Sequence, residues 1–244
     1  MRMLYFASRN QKEILRDPLS SILGILMPVI FILLFSMIAK NAPIEVFKPV
    51  NLTPGMTIFG FSFITMFLAL LIAKDKSSSF LSRLFISPLT ANDFVSGYIL
   101  PMFPLILLQS ICCLAVGVLM GIPVSINLLI TIISFIPYAL FVSFTGVFLG
   151  TICNETQVLV VGNIFIQVSA LLGGAWMDIK IMGNVFESIA NWLPFMHAIE
   201  ASRAILGGKI NNIWFHFAVV CAYAFIFLIL AVFSFHRKMK SDNK

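Results

Sequence analysis

The chain has 244 residues, of which 60% are hydrophobic and only 11% are charged, with a formal net charge of +6. Soluble domains contain roughly 45–50% apolar and 25% charged residues, and a soluble globule of this size has too little polar surface to cover the excess. The composition therefore excludes a soluble enzyme, a disordered protein and a disulfide scaffold, and it predicts an integral membrane protein.

Long charge-free runs give the number of membrane spans, because about 18 or more apolar residues can cross a bilayer as a helix. The longest run, Phe94 to Asn154, has 61 residues. We divide it at Gly121-Ile122-Pro123, where it has a strong turn signal. The sequence thus predicts an all-α polytopic membrane protein, a single transmembrane domain over residues 1–244, with six spans at about 19–39, 54–73, 96–120, 127–150, 157–176 and 212–235.

The basic residues predict the orientation of these spans, since Lys and Arg near span ends favour the cytoplasmic side. Six spans place both termini on one side, and eleven of the 16 Lys and Arg residues fall on that side. Both termini are therefore predicted to be cytoplasmic. The net positive charge is then mostly a topology signal, and we expect no nucleic-acid partner.

Residues 2–16 precede the first span and have the pattern of an amphipathic helix. The apolar stripe of Leu4, Ala7, Gln11, Ile14 and Leu15 suits a helix in the cytoplasmic membrane interface, with its basic side chains toward anionic lipid. Pro18 separates this helix from the first span. The alternative is a frayed terminus whose basic side chains reach the interface.

The long cytoplasmic loop, residues 74–93, predicts a short amphipathic helix. Ser77 to Ser79 can cap its start, and its apolar face consists of Phe80, Leu81, Leu84 and Phe85, with Arg83 outside that face. Such a helix could insert into a groove on a cytoplasmic partner or lie flat on the membrane, and the sequence favours neither. The second inner loop carries one charge, Glu155, which could touch the same partner.

Residues 178–209 form the predicted external segment, which is unusually rich in apolar and aromatic residues. Gly183 and Pro194 divide it into two short helical pieces that can dip into the membrane from the outer face and return. The second piece places Glu200 and Arg203 at the i, i+3 spacing of an ion pair. The segment is either an outer gate or a pair of interfacial helices that closes the bundle; its site residues are Trp192, Pro194, His197, Glu200 and Arg203.

Motifs for chemistry are absent from the sequence. It has no H-E-x-x-H helix, no G-x-S-x-G elbow and no phosphate loop, and its four cysteines lack metal-site spacing. No span has a charged residue at mid-depth, as proton relays and ion-coupled carriers usually need. We therefore expect no enzyme activity, cofactor or metal in this chain. Close helix packing is predicted at two Gly-x-x-x-Gly pairs, Gly117 with Gly121 and Gly146 with Gly150.

Three stretches, in this order, resemble the ABC type-2 permease family, the membrane subunits of bacterial ATP-binding-cassette exporters of drugs, lipids and polysaccharides. Arg16-Asp17-Pro18 resembles the exit of the family's amphipathic connecting helix. RLFISPL at 83–89, followed by Phe94 and Gly97, resembles its cytoplasmic coupling segment, although Tyr98 stands where a Lys is usual. GGAW at 173–176, with LPF at 193–195 and EASRA at 200–204, resembles its outer re-entrant region.

The resemblance implies a mechanism in a bacterial cell membrane. Two six-span subunits, identical or related, would each dock on a cytoplasmic ATPase that binds ATP and Mg. The ATPase would push the region of Phe80, Arg83 and Leu84 and the Glu13–Arg16 end of the first helix, while Glu200 and Arg203 stabilise an outer gate. An apolar bundle without charged residues in its spans favours a hydrophobic or amphipathic substrate such as a drug, lipid or antimicrobial peptide. The alternatives are export of a polysaccharide or lipid-linked glycan, and a non-transporting anchor or sensor.

Overall fold

The structure, a computed structural model, describes residues 2–40, 44–78, 80, 90–208 and 213–242. In these residues the chain is helical without strands, which confirms the predicted all-α class. Two short 3-10 helices, Glu45–Phe47 and Ile179–Met182, accompany the α-helices. The α-helices are α1 (Arg2–Arg16), α2 (Pro18–Ala39), α3 (Pro49–Ser77), α4 (Ala91–Ile99), α5 (Met102–Leu119), α6 (Ile126–Ser134), α7 (Ile136–Ile152), α8 (Glu155–Leu172), α9 (Asn184–Ala190), α10 (Pro194–Leu206) and α11 (Ile213–Asp242).

Five segments of the described chain are helical, long and apolar enough to cross a membrane. A sixth apolar stretch, Gly24–Ala39 within α2, is shorter. The protein is therefore a multi-pass membrane protein with five to six candidate spans. The five long segments are Pro49–Ser77, Ala91–Leu119, Ile126–Ile152, Glu155–Leu172 and Ile213–Met239.

Proline and glycine interrupt or shorten three of the predicted spans. The third divides between α4 and α5 because Pro101 has no N–H to donate to the carbonyl of Gly97. The fourth divides at Phe135, which leaves Pro137 in the first turn of α7, where a missing N–H costs little. The fifth ends at Leu172 because the chain turns at Gly174, whose φ of +68° favours glycine.

Helix α3 forms the centre of the bundle and contacts α2, α5, α7, α8 and α10. Its close contact with α7 depends on the predicted pair Gly146 and Gly150: an added Cβ would lie 2.9 Å from the Thr65 carbonyl oxygen and 2.6 Å from that of Ala69, respectively. Helices can approach this closely only where one side lacks a side chain.

The other predicted glycine pair is only half correct. A Cβ at Gly117 would lie 2.7 Å from the hydroxyl oxygen of Thr53 in α3, so Gly117 does allow close packing. Gly121 has nothing within 4 Å and a φ of +114°. It therefore forms the turn after α5 and makes no helix contact, because its conformation, not its size, requires glycine.

The two ends of the described chain meet at one end of the bundle. Phe6 of α1 and Phe235 of α11 both contact Phe94, with ring centroids 5.5 and 5.0 Å apart, respectively. We name this the basic end, since α1 and the last turn of α3 carry several Lys and Arg residues there. The start of α3 and the helices α9 and α10 lie at the opposite end.

Candidate coupling site

At the basic end, α1 docks on α4 through an aromatic contact. The Phe6 ring is 6% exposed and packs edge-on against Phe94 and Tyr98, with centroid distances of 5.5 and 4.9 Å. Gly97 lies directly under this ring, and a Cβ there would overlap it. The glycine of the coupling-like motif is thus what lets α1 reach the bundle.

A buried hydrogen bond completes the docking of α1. The amide nitrogen of Asn10, a fully buried residue, donates to the carbonyl oxygen of Gly97 at 3.0 Å. In a continuous helix this carbonyl would accept from the residue four positions later, which is Pro101 and has no N–H. Because a buried carbonyl without a partner is costly, Asn10 compensates for the break between α4 and α5 and fixes α1 against it.

Asp75, in the last turn of α3, joins three elements at its carboxylate. The guanidinium of Arg9 donates to both of its oxygens, at 2.7 and 2.8 Å. The hydroxyl of Tyr98 donates to one of them at 2.9 Å. The Asp75 side chain is only 3% exposed, and bidentate, charge-assisted bonds of this kind are among the strongest in proteins. They bind α1 and α4 to the central helix.

Arg9 also links this network to the predicted coupling residue Phe80. Its guanidinium carbon lies 4.2 Å from the centroid of the Phe80 ring, within cation–π range. Burial lowers the pKa of Arg9, but the hydrogen bond and charge of Asp75 and the charge of Glu13 raise it further, so the pKa stands above its ordinary value. The guanidinium therefore stays charged and keeps Phe80 and α3 connected.

The end of α3 also holds the turn between α7 and α8. The ammonium of Lys76 donates to the carbonyl oxygens of Gly150, Thr151 and Cys153 at 3.2, 3.0 and 2.6 Å. The ammonium supplies hydrogen bonds to carbonyl oxygens that lack N–H partners at the end of α7. Its positive charge is also favourable at the negative end of the helix dipole. The hydroxyl of Ser77 donates to Glu155 at 2.6 Å, so movement of this turn is tied to movement of α3.

The structure places some of the predicted coupling residues in this assembly. Glu13 forms an ion pair with Arg9, Phe80 packs on Arg9, and Glu155 binds Ser77. Arg16 is exposed at the end of α1. The remaining predicted coupling residues, Leu81, Arg83, Leu84 and Phe85, lie outside the described residues.

Only part of the predicted apolar stripe of α1 contacts the bundle. Leu4 and Leu15 of the stripe are 57% and 71% exposed, whereas Ala7 of the stripe is buried together with Phe6 and Asn10. The helix docks on protein with one face, so helical spacing of apolar residues alone does not identify the contact. Nor is α1 a frayed terminus, since three side-chain contacts fix it.

At the opposite end, Arg203 joins three parts of the chain. Its guanidinium donates to Glu200 at 3.0 Å, to the carbonyl of Asn51 at 2.8 Å and to the carbonyl of Gly174 at 2.8 Å. The predicted ion pair with Glu200 is thus present, but the same side chain also binds the first turn of α3 and the turn after α8. These residues line a cavity of about 980 Å³.

Two histidines meet beside this cavity. The Nδ1 atoms of His197 and His216 are 2.8 Å apart, and Nε2 of His197 is 3.0 Å from the carbonyl oxygen of Asn191. Since the carbonyl only accepts, a neutral His197 ring donates from Nε2 and accepts at Nδ1 the Nδ1 proton of His216. His197 and His216 thereby join α10 to α11. The predicted gate residue Pro194 begins α10 and is buried, whereas the predicted gate residue Trp192 is 78% exposed.

Comparison with known proteins gives the family. A model of the family described as "ABC-2 type transporter" matches residues 2–206, which include the whole coupling site from α1 to α8. The chain is also 20% identical over 233 residues to "Putative transport permease YvfS" of Bacillus subtilis (strain 168), a match that covers 91% of this chain and 92% of that protein. Permeases of this family are membrane subunits of transporters and work with an ATPase subunit. On this ground, the chain belongs to the ABC-2 type transporter family.

Proposed function

We propose that this chain is the membrane subunit of an ATP-driven exporter, powered by a separate cytoplasmic ATPase that binds ATP and Mg. The observation that carries the proposal is the network at Asp75, which connects α1 and Phe80 to the central helix. A transporter driven by another protein needs such a rigid connection where the partner docks. Asp75 lies at the end of α3, so it has the position of a mechanical link, not of an ion-coupling group within a span.

The mechanism follows from the length of α3. A helix of 29 residues is about 43 Å long, and it runs from the Arg203 contact at Asn51 to the Asp75 network. Closure of the ATPase would push Phe80 and the Glu13–Arg16 end of α1. Because these elements are bonded to α3, the push would tilt α3 and pull its first turn away from Arg203, opening the gate.

The orientation is part of the same proposal. Basic residues favour the cytoplasmic side of a bacterial cell membrane, which places the basic end inside and α9 and α10 outside. There the two helices form a re-entrant segment. Phe195 and Ile199 of α10 are buried against the bundle, which supports a segment whose short helices are covered by protein. Two permease subunits, identical or related, enclose the pathway.

The substrate class follows from the bundle surface, which favours a hydrophobic or amphipathic molecule such as a drug, a lipid or an antimicrobial peptide. A second candidate, a polysaccharide or lipid-linked glycan, is favoured by one cluster. The rings of Phe31, Phe35, Phe59 and Trp176 lie with centroids 5.4–6.1 Å apart, and aromatic faces of this kind can stack on sugar rings.

Reconstitution tests this function. The chain and its ATPase are placed in lipid vesicles, and ATP hydrolysis and substrate movement are measured with an amphipathic drug, an antimicrobial peptide and a lipid-linked glycan. We expect one class to stimulate hydrolysis and to move in an ATP-dependent way, and Phe80→Asp to abolish both, whereas Val124→Ala at the exposed opposite end does neither. Hydrolysis that no substrate stimulates would support the non-transporting anchor instead.

A further inference from the structure

A second feature of the basic end is a cavity beneath α1, between this helix and α3 and α5. Its volume is about 830 Å³, within the range of about 300–1,000 Å³ of typical ligand pockets. Its floor is apolar and is formed by Phe67, Leu70, Leu71, Met102 and Leu105. Its rim is polar and comes mainly from α1.

The rim of the cavity carries more cations than carboxylates. Lys12, Arg16 and Lys74 line the cavity, and among the described residues none of the three forms an ion pair. Arg9 also lines it, but its charge is committed to Asp75 and to the rim carboxylate Glu13. A second carboxylate, Asp17, also lies on the rim. The four basic side chains still outnumber the two acidic ones, which leaves a net positive charge where the polar rim meets the apolar floor.

The spacing of charge and floor fits an amphiphile. Lys74 is one helical turn beyond Leu70 and Leu71 and two turns beyond Phe67, so about 5 to 10 Å of apolar wall lies below its ammonium. A phosphate held by the three cations would therefore have acyl chains directly on this wall. Free phosphate would make no contact with the apolar wall, and a lipid without net charge would not neutralise the cations.

We propose that this cavity binds an anionic phospholipid from the membrane leaflet at the basic end. The phosphodiester contacts Lys12, Arg16 and Lys74, and the acyl chains lie against Phe67 and Met102. Basic pockets between membrane helices bind anionic headgroups in this way. The lipid fills the space between α1 and α3, on the side of α1 away from the Phe6 contact, and so holds α1 in its docked position.

The test uses the purified chain in neutral detergent, without any ATPase, so its outcome is independent of the proposed export function. Phosphatidylglycerol, phosphatidylcholine, inorganic phosphate and glycerol 3-phosphate are titrated separately, and the thermal unfolding midpoint and hydrogen exchange of α1 are recorded. We expect phosphatidylglycerol alone to raise the midpoint and slow the exchange of α1.

Two triple variants assign the effect to the cavity. Lys12→Gln/Arg16→Gln/Lys74→Gln should weaken the apparent phosphatidylglycerol affinity by roughly 150-fold, from the loss of three phosphate contacts at about 1 kcal/mol each. Lys40→Gln/Lys48→Gln/Lys180→Gln, which removes equal charge at the opposite end, should leave it within about twofold. Equal effects of both triples, equal effects of the two lipids, or full stabilisation by phosphate alone would overturn the proposal. If the first triple does not fold, Lys74→Gln alone, expected to weaken affinity about fivefold, decides.

Discussion

The carboxylate of Asp75 is the point at which the coupling site can be broken with the smallest change. Asp75→Asn keeps the size and shape of the side chain but removes its charge. One of its two oxygens becomes an NH2 group that faces a donor, so the bidentate bond from Arg9 cannot form. We expect α1 to separate from the bundle more often in this variant, while the spans remain folded.

The magnitude follows from burial and partners. Removing one partner of a buried ion pair costs about 3–5 kcal/mol. The cost here is smaller, because the Arg9 side chain is 34% exposed and retains its pair with Glu13. We therefore expect about 2 kcal/mol, which corresponds to roughly a 30-fold increase in the population with α1 undocked.

Hydrogen exchange measured by mass spectrometry on α1 reports this population directly, because amides of a docked helix exchange through its opening. In Asp75→Asn, the exchange of the segment around Phe6 to Asn10 should be roughly 30-fold faster. Glu45→Gln is the matched control, since it breaks an exposed ion pair with Lys48 and should change this exchange less than twofold. An Asp75→Asn variant with unchanged exchange would refute the role of Asp75.

Three further substitutions test other contacts. Gly97→Ala should undock α1 at a cost of about 1–3 kcal/mol, seen as faster exchange of α1, and Phe6→Ala added to it should restore part of the loss by making room. Lys76→Met removes three bonds to the α7–α8 turn and should destabilise the protein by about 1–2 kcal/mol in denaturant unfolding, with faster exchange at Thr151. Arg203→Met should cost about 2–4 kcal/mol in the same unfolding assay, because it leaves Asn51 and two other groups unpaired; a cost within 0.5 kcal/mol, about the limit for an exposed pair, would contradict the structural role of Arg203.

Five of the six predicted spans coincide with helices long and apolar enough to cross a membrane, and the first with a shorter apolar stretch. They were accessible from the sequence because charge is costly in a bilayer, and so charge-free runs mark the spans. The ion pair of Glu200 and Arg203 was accessible because both residues lie on one helix at fixed spacing. The further bonds of Arg203 to Asn51 and Gly174 were not, since they join residues that only the folded bundle brings together.

The Asp75 network is the clearest example of contacts that could not be predicted from the sequence. Arg9 and Asp75 are 66 positions apart, and neither periodicity nor spacing connects them. A signal was present: Asp75 is an acidic residue just beyond the end of a long apolar run, and Tyr98 stands where a Lys is usual in the related motif. In the fold, the Tyr98 hydroxyl donates to the Asp75 carboxylate.

Pro101 has two structural consequences, of which only one could be predicted in full. Because Pro101 cannot donate a backbone hydrogen bond, the sequence predicts an interrupted helix there, and the structure has a break between α4 and α5. Its second consequence, a free carbonyl at Gly97, is also dictated by the sequence. The partner of that carbonyl could not be predicted, because any donor on any neighbouring helix could supply the bond, and Asn10 is identified only by the packing of α1.

Purification of the tagged chain from native membranes in mild detergent, with mass spectrometry of its stoichiometric partners, tests the central claim most directly. The account predicts an ATPase with a phosphate loop at about one copy per chain, as in complexes of symmetric subunits. It also predicts that Phe80→Asp loses this ATPase, whereas Val124→Ala retains it. An intact, folded chain recovered without any ATPase would contradict the account, because no energy source would remain for export.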